Sequence, residues 1–147
     1  MAGREDRRLA LLSVRPRFAD AILSGEKRVE LRRVPFSDEV EHVLVYATSP
    51  LKAIVGWFSV DGVVRDKPSR LWDRYGSVAA LSRREFMRYF DGVAIGAAIL
   101  IGESRALASP VSLADVHIAG APRNFRYPRN GTAKLMVAAH RRVSPLG

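Results

Sequence analysis

Three charged side chains fall within the short segment from residue 25 to residue 33. Lys27, Glu30 and Arg32 follow a glycine, and Val29 and Leu31 stand between them. Because successive side chains of an extended chain point to opposite faces, the pattern predicts a strand with Val29 and Leu31 on a buried face and Glu30 and Arg32 on the other. A carboxylate beside guanidinium groups is suited to hold a base edge, a phosphate or a polarised carbonyl. The alternative is a solvated strand face whose ion pairs contribute little.

The net charge of the chain is the second signal. Lys and Arg number 24 against 15 Asp and Glu, which gives a formal charge of +9. Such a surface attracts polyanions, and several basic clusters have aromatic residues nearby, which fits phosphate contacts combined with base stacking. The alternatives are an arginine-rich composition and a charge surplus that serves solubility alone. Nucleic acid, single-stranded or structured, is the predicted partner.

Composition excludes several other classes. The chain has 147 residues, 48% of them hydrophobic, no cysteine and three scattered histidines. These numbers predict one domain over residues 1–147, with a core from about residue 9 to residue 127, a basic lead-in and a C-terminal tail. They predict no disulfide, no metal site and no cofactor. No apolar run is long enough to cross a bilayer and the first residues are charged, which predicts a cytoplasmic protein without membrane association.

Apolar runs and turn residues predict the elements that position the charged segment. Pro16 and Gly25 frame a short helix, and Ser82 with Glu85 forms a capping box at the start of another. Strands are predicted at residues 9–14, 27–33, 42–47 and 53–60, the last continuing past Gly62 through a bulge. Residues 68–76 are predicted as a helix, residues 93–107 as one bent strand or a strand pair with a helix as the alternative, residues 120–131 as a loop, and residues 132–142 as a strand or a helix. This order favours an α+β fold, a small and mostly antiparallel β-barrel with flanking short helices.

The charged segment also resembles a known family. Residues 25–32, Gly-Glu-Lys-Arg-Val-Glu-Leu-Arg, are similar to the signature G-x-K-x-x-E-x-R of the ASCH domain, the activating signal cointegrator homology family in the PUA-like superfamily. The likeness continues in order through residues 45–50, 53–56, the helical pair at 71–90 and residues 125–127. The resemblance implies a PUA-type barrel with a cleft beside its first helix that binds RNA or another nucleic acid.

The resemblance implies a site centred on Lys27, Glu30 and Arg32, with Tyr46 and Ser49 contributed by the neighbouring strand end. The side-chain chemistry agrees, because a lysine offers a point charge for phosphate, an arginine a planar fork, and a glutamate an acceptor for base amino or ribose hydroxyl protons. Tyr46 is expected to stack on a base. The alternatives are that Tyr46 is a core-edge residue and that Ser49 only shapes the turn before a proline.

Further binding residues are expected outside this segment. Arg15 belongs to the basic cluster that precedes the first helix. Arg126 and Tyr127 lie in a late segment where aromatic residues are flanked by arginines, a composition that combines stacking with phosphate contact. The alternative for this late segment is that it closes the barrel.

The predicted function is a nucleic-acid-binding domain, with RNA favoured over DNA. The first alternative is a small metal-independent hydrolase, either an amidohydrolase on modified nucleosides or a ribonuclease in which Lys27 and Glu30 form an acid/base pair. Related amidohydrolases that act on acetylated cytidine use a Lys and a Thr, and because Glu30 stands at the Thr position that mechanism is not carried over. The second alternative is a transcriptional regulator that binds DNA or senses a small ligand.

Overall fold

The computed structural model describes residues 7–129 and 131–132, and in this part of the chain six strands form one sheet. The strands are β1 (Leu9–Val14), β2 (Val29–Arg32), β3 (His42–Ala47), β4 (Ala53–Asp66), β5 (Gly96–Val111) and β6 (Phe125–Arg126). The α-helices are α1 (Pro16–Ser24), α2 (Pro68–Tyr75) and α3 (Arg83–Tyr89), with single 3₁₀ turns at Gly76–Val78 and Ala114–Val116. The sheet has the order β2-β5-β4-β3-β1-β6 and curls into a half-barrel. The predicted α+β, PUA-like fold is confirmed.

The sheet is mixed. Strands β2 and β5, β5 and β4, β4 and β3, and β1 and β6 pair antiparallel, whereas β1 and β3 run parallel. A parallel pair needs a long crossover, and the chain from α1 through β2 supplies it. Val14 lies opposite Ala47, so β1 and β3 end at the same edge of the sheet. The residues that follow these strand ends therefore lie together.

The long strands carry the curvature. Strand β4 continues to Asp66 with a register shift between Val60 and Gly62, which confirms the predicted bulge. Strand β5 is one strand through Val111, so the helical alternative for this segment is wrong and its predicted end at residue 107 was too early. The predicted loop at residues 120–131 is corrected as well, because Phe125–Arg126 pairs with β1. Two residues of extended chain are too few to give an alternating pattern.

Local sequence accounts for both ends of α1 and the start of α3. Pro16 occupies the first turn of α1, and Gly25 ends the helix with a φ of 89°, a left-handed conformation that glycine adopts without a Cβ penalty. At α3, Ser82 and Glu85 exchange side-chain and backbone hydrogen bonds in the predicted capping box. These boundaries fix where the segments on either side of the helices begin.

Buried side chains fall into three clusters. The α1 cluster packs α1 on one face of the sheet and includes Ile22, Val45, Phe58 and Ile99. The outer cluster lies on the opposite face of β1 and β3 and includes Leu11, Leu44, Tyr46, Ile54 and Val111. The α2/α3 cluster includes Val29, Leu31, Leu71, Phe86 and Phe90. Both faces of the central strands are therefore covered, and β2 is packed against the helices.

No helix in the described ranges is long and apolar enough to span a bilayer. The charged lead-in at residues 1–6 and the strand or helix expected for residues 133–142 lie outside the described residues.

Candidate functional site

A cavity of about 630 Å³ lies between α1, α3, β2 and the ends of β1 and β3. Ligand sites typically have volumes of about 300 to 1,000 Å³, so this cavity can hold a nucleotide-sized group. Five cationic side chains contribute to its wall: Arg15, Lys27, Arg32, Arg88 and Arg123. Two carboxylates, Glu30 and Glu85, and two aromatic rings, Phe18 and Tyr89, complete most of the remainder. The excess of cationic groups favours an anionic ligand.

Lys27 is held in the wall by the chain reversal after α1. Its backbone N–H donates to the carbonyl of Ala21 over 2.9 Å, just beyond the left-handed Gly25. The side chain is 3% exposed, and its ammonium donates to the carbonyl of Ala79 over 2.5 Å. The same nitrogen lies 5.1 Å from the centre of the Phe18 ring. A charged amine is thus placed in a largely desolvated position.

Burial lowers the pKa of Lys27 below its ordinary value of 10.5. The negative charge of Glu30 opposes this shift, and the positive charge of Arg17 adds to it. Desolvation disfavours the charged form of an amine, so this lysine releases its proton more readily than an exposed one. Such a group can act as a proton acceptor as well as an anion ligand.

Strand β2 presents Glu30 and Arg32 to the cavity and packs Val29 and Leu31 against the helices. This is the alternation that the sequence predicts, although Leu31 also contacts the cavity. Glu30 is 7% exposed. Within the described residues its Oε2 atom and the Nε atom of Arg32 are buried without a hydrogen-bond partner.

An ion pair connects the two helices at the cavity. The guanidinium of Arg17 on α1 donates to Oε2 of Glu85 on α3, and it also lies over the Phe18 ring at 4.4 Å. Glu85 Oε1 accepts the backbone N–H of Ser82 at 3.1 Å. That backbone hydrogen bond first, and then Arg17, lower the pKa of Glu85. One carboxylate therefore caps α3 and joins it to α1.

Other residues assigned to the site by sequence have different positions. Arg15, the exposed residue before α1, lines the cavity. Tyr46 does not, because the register of β3 turns it with Leu44 into the outer cluster, where it is 6% exposed. Its predicted position in the cleft is therefore wrong. Ser49 is exposed in the turn after β3, and the neighbouring Thr48 lines the cavity in its place.

The late basic segment is also displaced from its predicted role. Arg126 is exposed on β6 with a 3.5 Å hydrogen bond to the carbonyl of Gly120, and it is not part of the cavity wall. Tyr127 packs against the α1 cluster, and its hydroxyl accepts the backbone N–H of Ser37 at 2.7 Å. Arg123 lines the cavity instead, because it precedes the short strand that carries Arg126 away from it.

Sequence reasoning missed the polar residues at the strand ends. The backbone N–H of Ser13 donates to the carbonyl of Asn124 at 2.9 Å, and its hydroxyl donates to the carbonyl of Pro122 at 2.8 Å. Thr48 follows β3 and donates its N–H to Val14 at 2.9 Å. Ser13, Thr48 and Asn124 all line the cavity. The parallel pairing of β1 with β3 brings them together, and no local pattern announces it.

Metal ligands are not grouped in this part of the molecule. Across residues 7–129 and 131–132, no cluster of three or more His, Cys, Asp or Glu side chains is placed to hold a metal ion.

The half-barrel with a basic cavity beside its first helix defines a PUA-like domain. The family model described as ASCH domain matches residues 12–100, and the chain belongs to this family. The chain is 34% identical over 128 residues to an ASCH domain-containing ribonuclease from Zymomonas mobilis, a match that covers 86% of this chain and 84% of the relative. The resemblance found in residues 25–32 is therefore confirmed.

Solved structures agree with this assignment. The crystal structure of ASCH from Zymomonas mobilis has a TM-score of 0.81 at 30% identity and covers 90% of this chain and 96% of its own. A variant of that protein has a TM-score of 0.84 at 30% identity, with 92% and 99% covered. The N-terminal domain of Staphylothermus marinus McrB has a TM-score of 0.57 at 11% identity, covers 94% and 99%, and shares the fold alone.

Proposed function

We propose that the chain binds RNA in the cavity between α1, α3 and β2, with Lys27, Glu30 and Arg32 at the centre of the site. The observation that carries this proposal is the composition of the wall, where five cationic side chains surround a space large enough for a nucleotide. The cationic groups suit phosphates, and the ring of Tyr89 suits a base. Arg15, Arg88 and Arg123 are exposed and are the phosphate ligands nearest to solvent.

RNA is favoured over DNA for two reasons. The cavity wall includes the hydroxyl groups of Ser13 and Thr48 and the amide of Asn124, which are suited to pair with a ribose 2′-hydroxyl. The relative from Zymomonas mobilis is named a ribonuclease.

A salt titration tests the binding proposal. Labelled short RNA, single-stranded DNA and both duplexes are titrated with the protein at increasing salt, and RNA binding is expected to be tightest and to weaken steeply as phosphate contacts are lost. Arg32→Gln is expected to weaken RNA binding at least about tenfold, because it removes a charged hydrogen-bond donor from the centre. Arg105→Gln is the matched control, since Arg105 is exposed on β5 and is not part of the cavity wall. Equal binding of all four nucleic acids with equal effects of the two variants would refute the proposal.

Cleavage of the bound RNA is the second candidate function. A buried amine with a lowered pKa lies near a carboxylate, a pairing suited to move protons. In this candidate mechanism the 2′-hydroxyl oxygen attacks the adjacent phosphorus while Lys27, in its neutral form, or Glu30 takes the hydroxyl proton. The bond to the 5′-oxygen breaks, that oxygen takes a proton, and Arg32 stabilises the charge on the phosphorane. The products carry a 2′,3′-cyclic phosphate and a 5′-hydroxyl.

Cleavage is tested separately from binding. RNA is incubated with the protein in a chelator, next to the same RNA with its 2′-hydroxyls replaced by hydrogen, and the products are identified by mass. The mechanism requires cyclic phosphate products from the first substrate and none from the second. Lys27→Met and Glu30→Gln are each expected to reduce the rate at least about 100-fold, the usual range for an acid or base. RNA that is bound but left intact would leave binding as the function.

A further inference from the structure

Two buried atoms of the cavity wall have a hydrogen-bonding capacity that the chain does not use. In the described residues, Glu30 Oε2 and Arg32 Nε are the buried side-chain atoms without a partner. The great majority of buried polar groups in proteins are paired, and an unpaired one costs free energy. Both residues line the cavity. A ligand that supplies the missing partners explains why the two atoms are unpaired in the free protein.

The two atoms ask for different partners. An ionised carboxylate only accepts hydrogen bonds, and the Nε–H of an arginine only donates. Glu30 and Arg32 lie two residues apart on one face of β2, about 6 to 7 Å along the strand, so their long side chains can reach one small group. The matching ligand presents donors toward Glu30 and an acceptor toward Arg32 on a single edge.

Among the parts of an RNA, a base edge fits this demand best. A phosphate offers acceptors alone and is repelled by the carboxylate. Uracil places an acceptor on both sides of its one ring N–H, and adenine and cytosine place a ring acceptor next to their amino group. Guanine places two neighbouring donors, N1–H and the N2 amino group, beside the O6 acceptor. Guanine is therefore the base whose edge complements a carboxylate and an arginine together.

We propose that Glu30 and Arg32 read the Watson–Crick edge of a guanine base, with Glu30 accepting from N1–H and N2–H and Arg32 donating to O6. This inference rests on the proposed RNA binding and adds the identity of the base. The arginines nearer to solvent contact the flanking phosphates, which carry no sequence information. The pair on β2 thus makes the site selective, whereas the remaining wall gives affinity.

The test uses short uridine-rich oligonucleotides that differ at one central position, which is guanine, inosine, adenine, cytosine or uracil. All sugars are 2′-fluoro, so that binding is measured without cleavage, and fluorescence anisotropy gives each Kd. The guanine oligonucleotide is expected to bind at least about tenfold more tightly than those with adenine, cytosine or uracil, since a hydrogen bond to a charged group is worth at least that factor. Inosine lacks only the N2 amino group and is expected to lie between guanine and the others.

Variants assign the preference to the two residues. Glu30→Gln keeps the shape of the side chain but adds a donor, and it is expected to bring the guanine and adenine oligonucleotides to within about twofold. Glu103→Gln on β5, exposed and not part of the cavity wall, makes the same change of charge and is expected to retain the wild-type preference. A thermal transition shows whether Glu30→Gln is folded. If it is not, the comparison of guanine with inosine on the wild-type protein decides the inference alone.

Two results would overturn the inference. Binding of all five oligonucleotides within about twofold, with steep salt dependence retained, would refute base reading and leave the proposed RNA binding intact. Failure of every oligonucleotide to bind, together with failure of the matched 2′-hydroxyl RNAs, would refute both.

Discussion

The ammonium of Lys27 donates a hydrogen bond to the backbone carbonyl of Ala79, with 2.5 Å between the two atoms. This bond joins the segment before β2 to the segment between α2 and α3. Lys27 is 3% exposed and Ala79 is fully buried, so the contact is shielded from water. The side chain at the centre of the proposed site therefore also connects two parts of the fold.

Lys27→Met should change how stability depends on pH. The lowered pKa means that, just below 10.5, the unfolded chain holds a proton at this lysine that the folded chain has released. Stability of the wild type therefore rises with pH through the window between the lowered pKa and 10.5, and the methionine variant lacks this contribution. Urea unfolding across the window should give a free-energy difference between wild type and variant that grows with pH. The exposed Lys67→Met serves as control, and equal slopes for the wild type and Lys27→Met would contradict the prediction.

Glu85→Gln should strengthen RNA binding. Glutamine can replace glutamate in a capping box, so α3 keeps its start, while the cavity wall loses a negative charge and Arg17 loses its ionic partner. We expect about two- to tenfold tighter binding at low salt, with the gain shrinking as salt is added. Anisotropy titrations at several salt concentrations measure this effect. Glu103→Gln, which has the same change of charge outside the cavity, should give a smaller gain, and weaker binding by Glu85→Gln would rule the idea out.

Gly56→Ala should destabilise the fold. A Cβ at Gly56 would lie 2.5 Å from the carbonyl oxygen of Arg105 and 2.5 Å from a methyl carbon of Leu23, so β5 or α1 must shift. Overpacking of this kind costs about 1 to 3 kcal/mol of unfolding free energy. Gly120→Ala is the control, because a Cβ there meets nothing within 4 Å. Urea unfolding of both variants provides the comparison, and equal stabilities would show that β4 and α1 tolerate the added methyl group.

Tyr127→Phe and Arg123→Gln should separate stability from binding in the late basic segment. The first removes the hydroxyl that accepts the Ser37 N–H and should cost about 0.5 to 1.5 kcal/mol of stability without changing RNA affinity. The second removes a cation from the cavity wall and should weaken RNA binding while lowering its salt slope by about one. Urea unfolding and salt-dependent binding measure the two effects. A loss of affinity in Tyr127→Phe would return that residue to the site.

The parts of the structure that sequence predicts are those with short-range causes. Pro16 and Gly25 bound α1 through their own backbone preferences, and the capping box locates the start of α3. The two faces of β2 follow from the alternation of charged and apolar residues. For the same reason, Lys27 and Glu30 could be assigned to one site from a single segment.

The misplaced residues have long-range causes. Leu44 and Tyr46 lie on one face of β3 and Val43 and Val45 on the other, and all four are buried. Alternation in such a strand cannot indicate which face is nearer to a cavity. The arrangement of Ser13 beside Asn124 depends on strand pairing across more than a hundred residues, which a local pattern does not encode.

The hydrogen bond between Ser13 and Asn124 has a consequence for the chain as it is synthesised. A nascent polypeptide that ends before residue 124 contains Lys27, Glu30 and Arg32, yet one side of their pocket has still to leave the ribosome. Recognition of a guest is then withheld until translation of the domain is nearly finished.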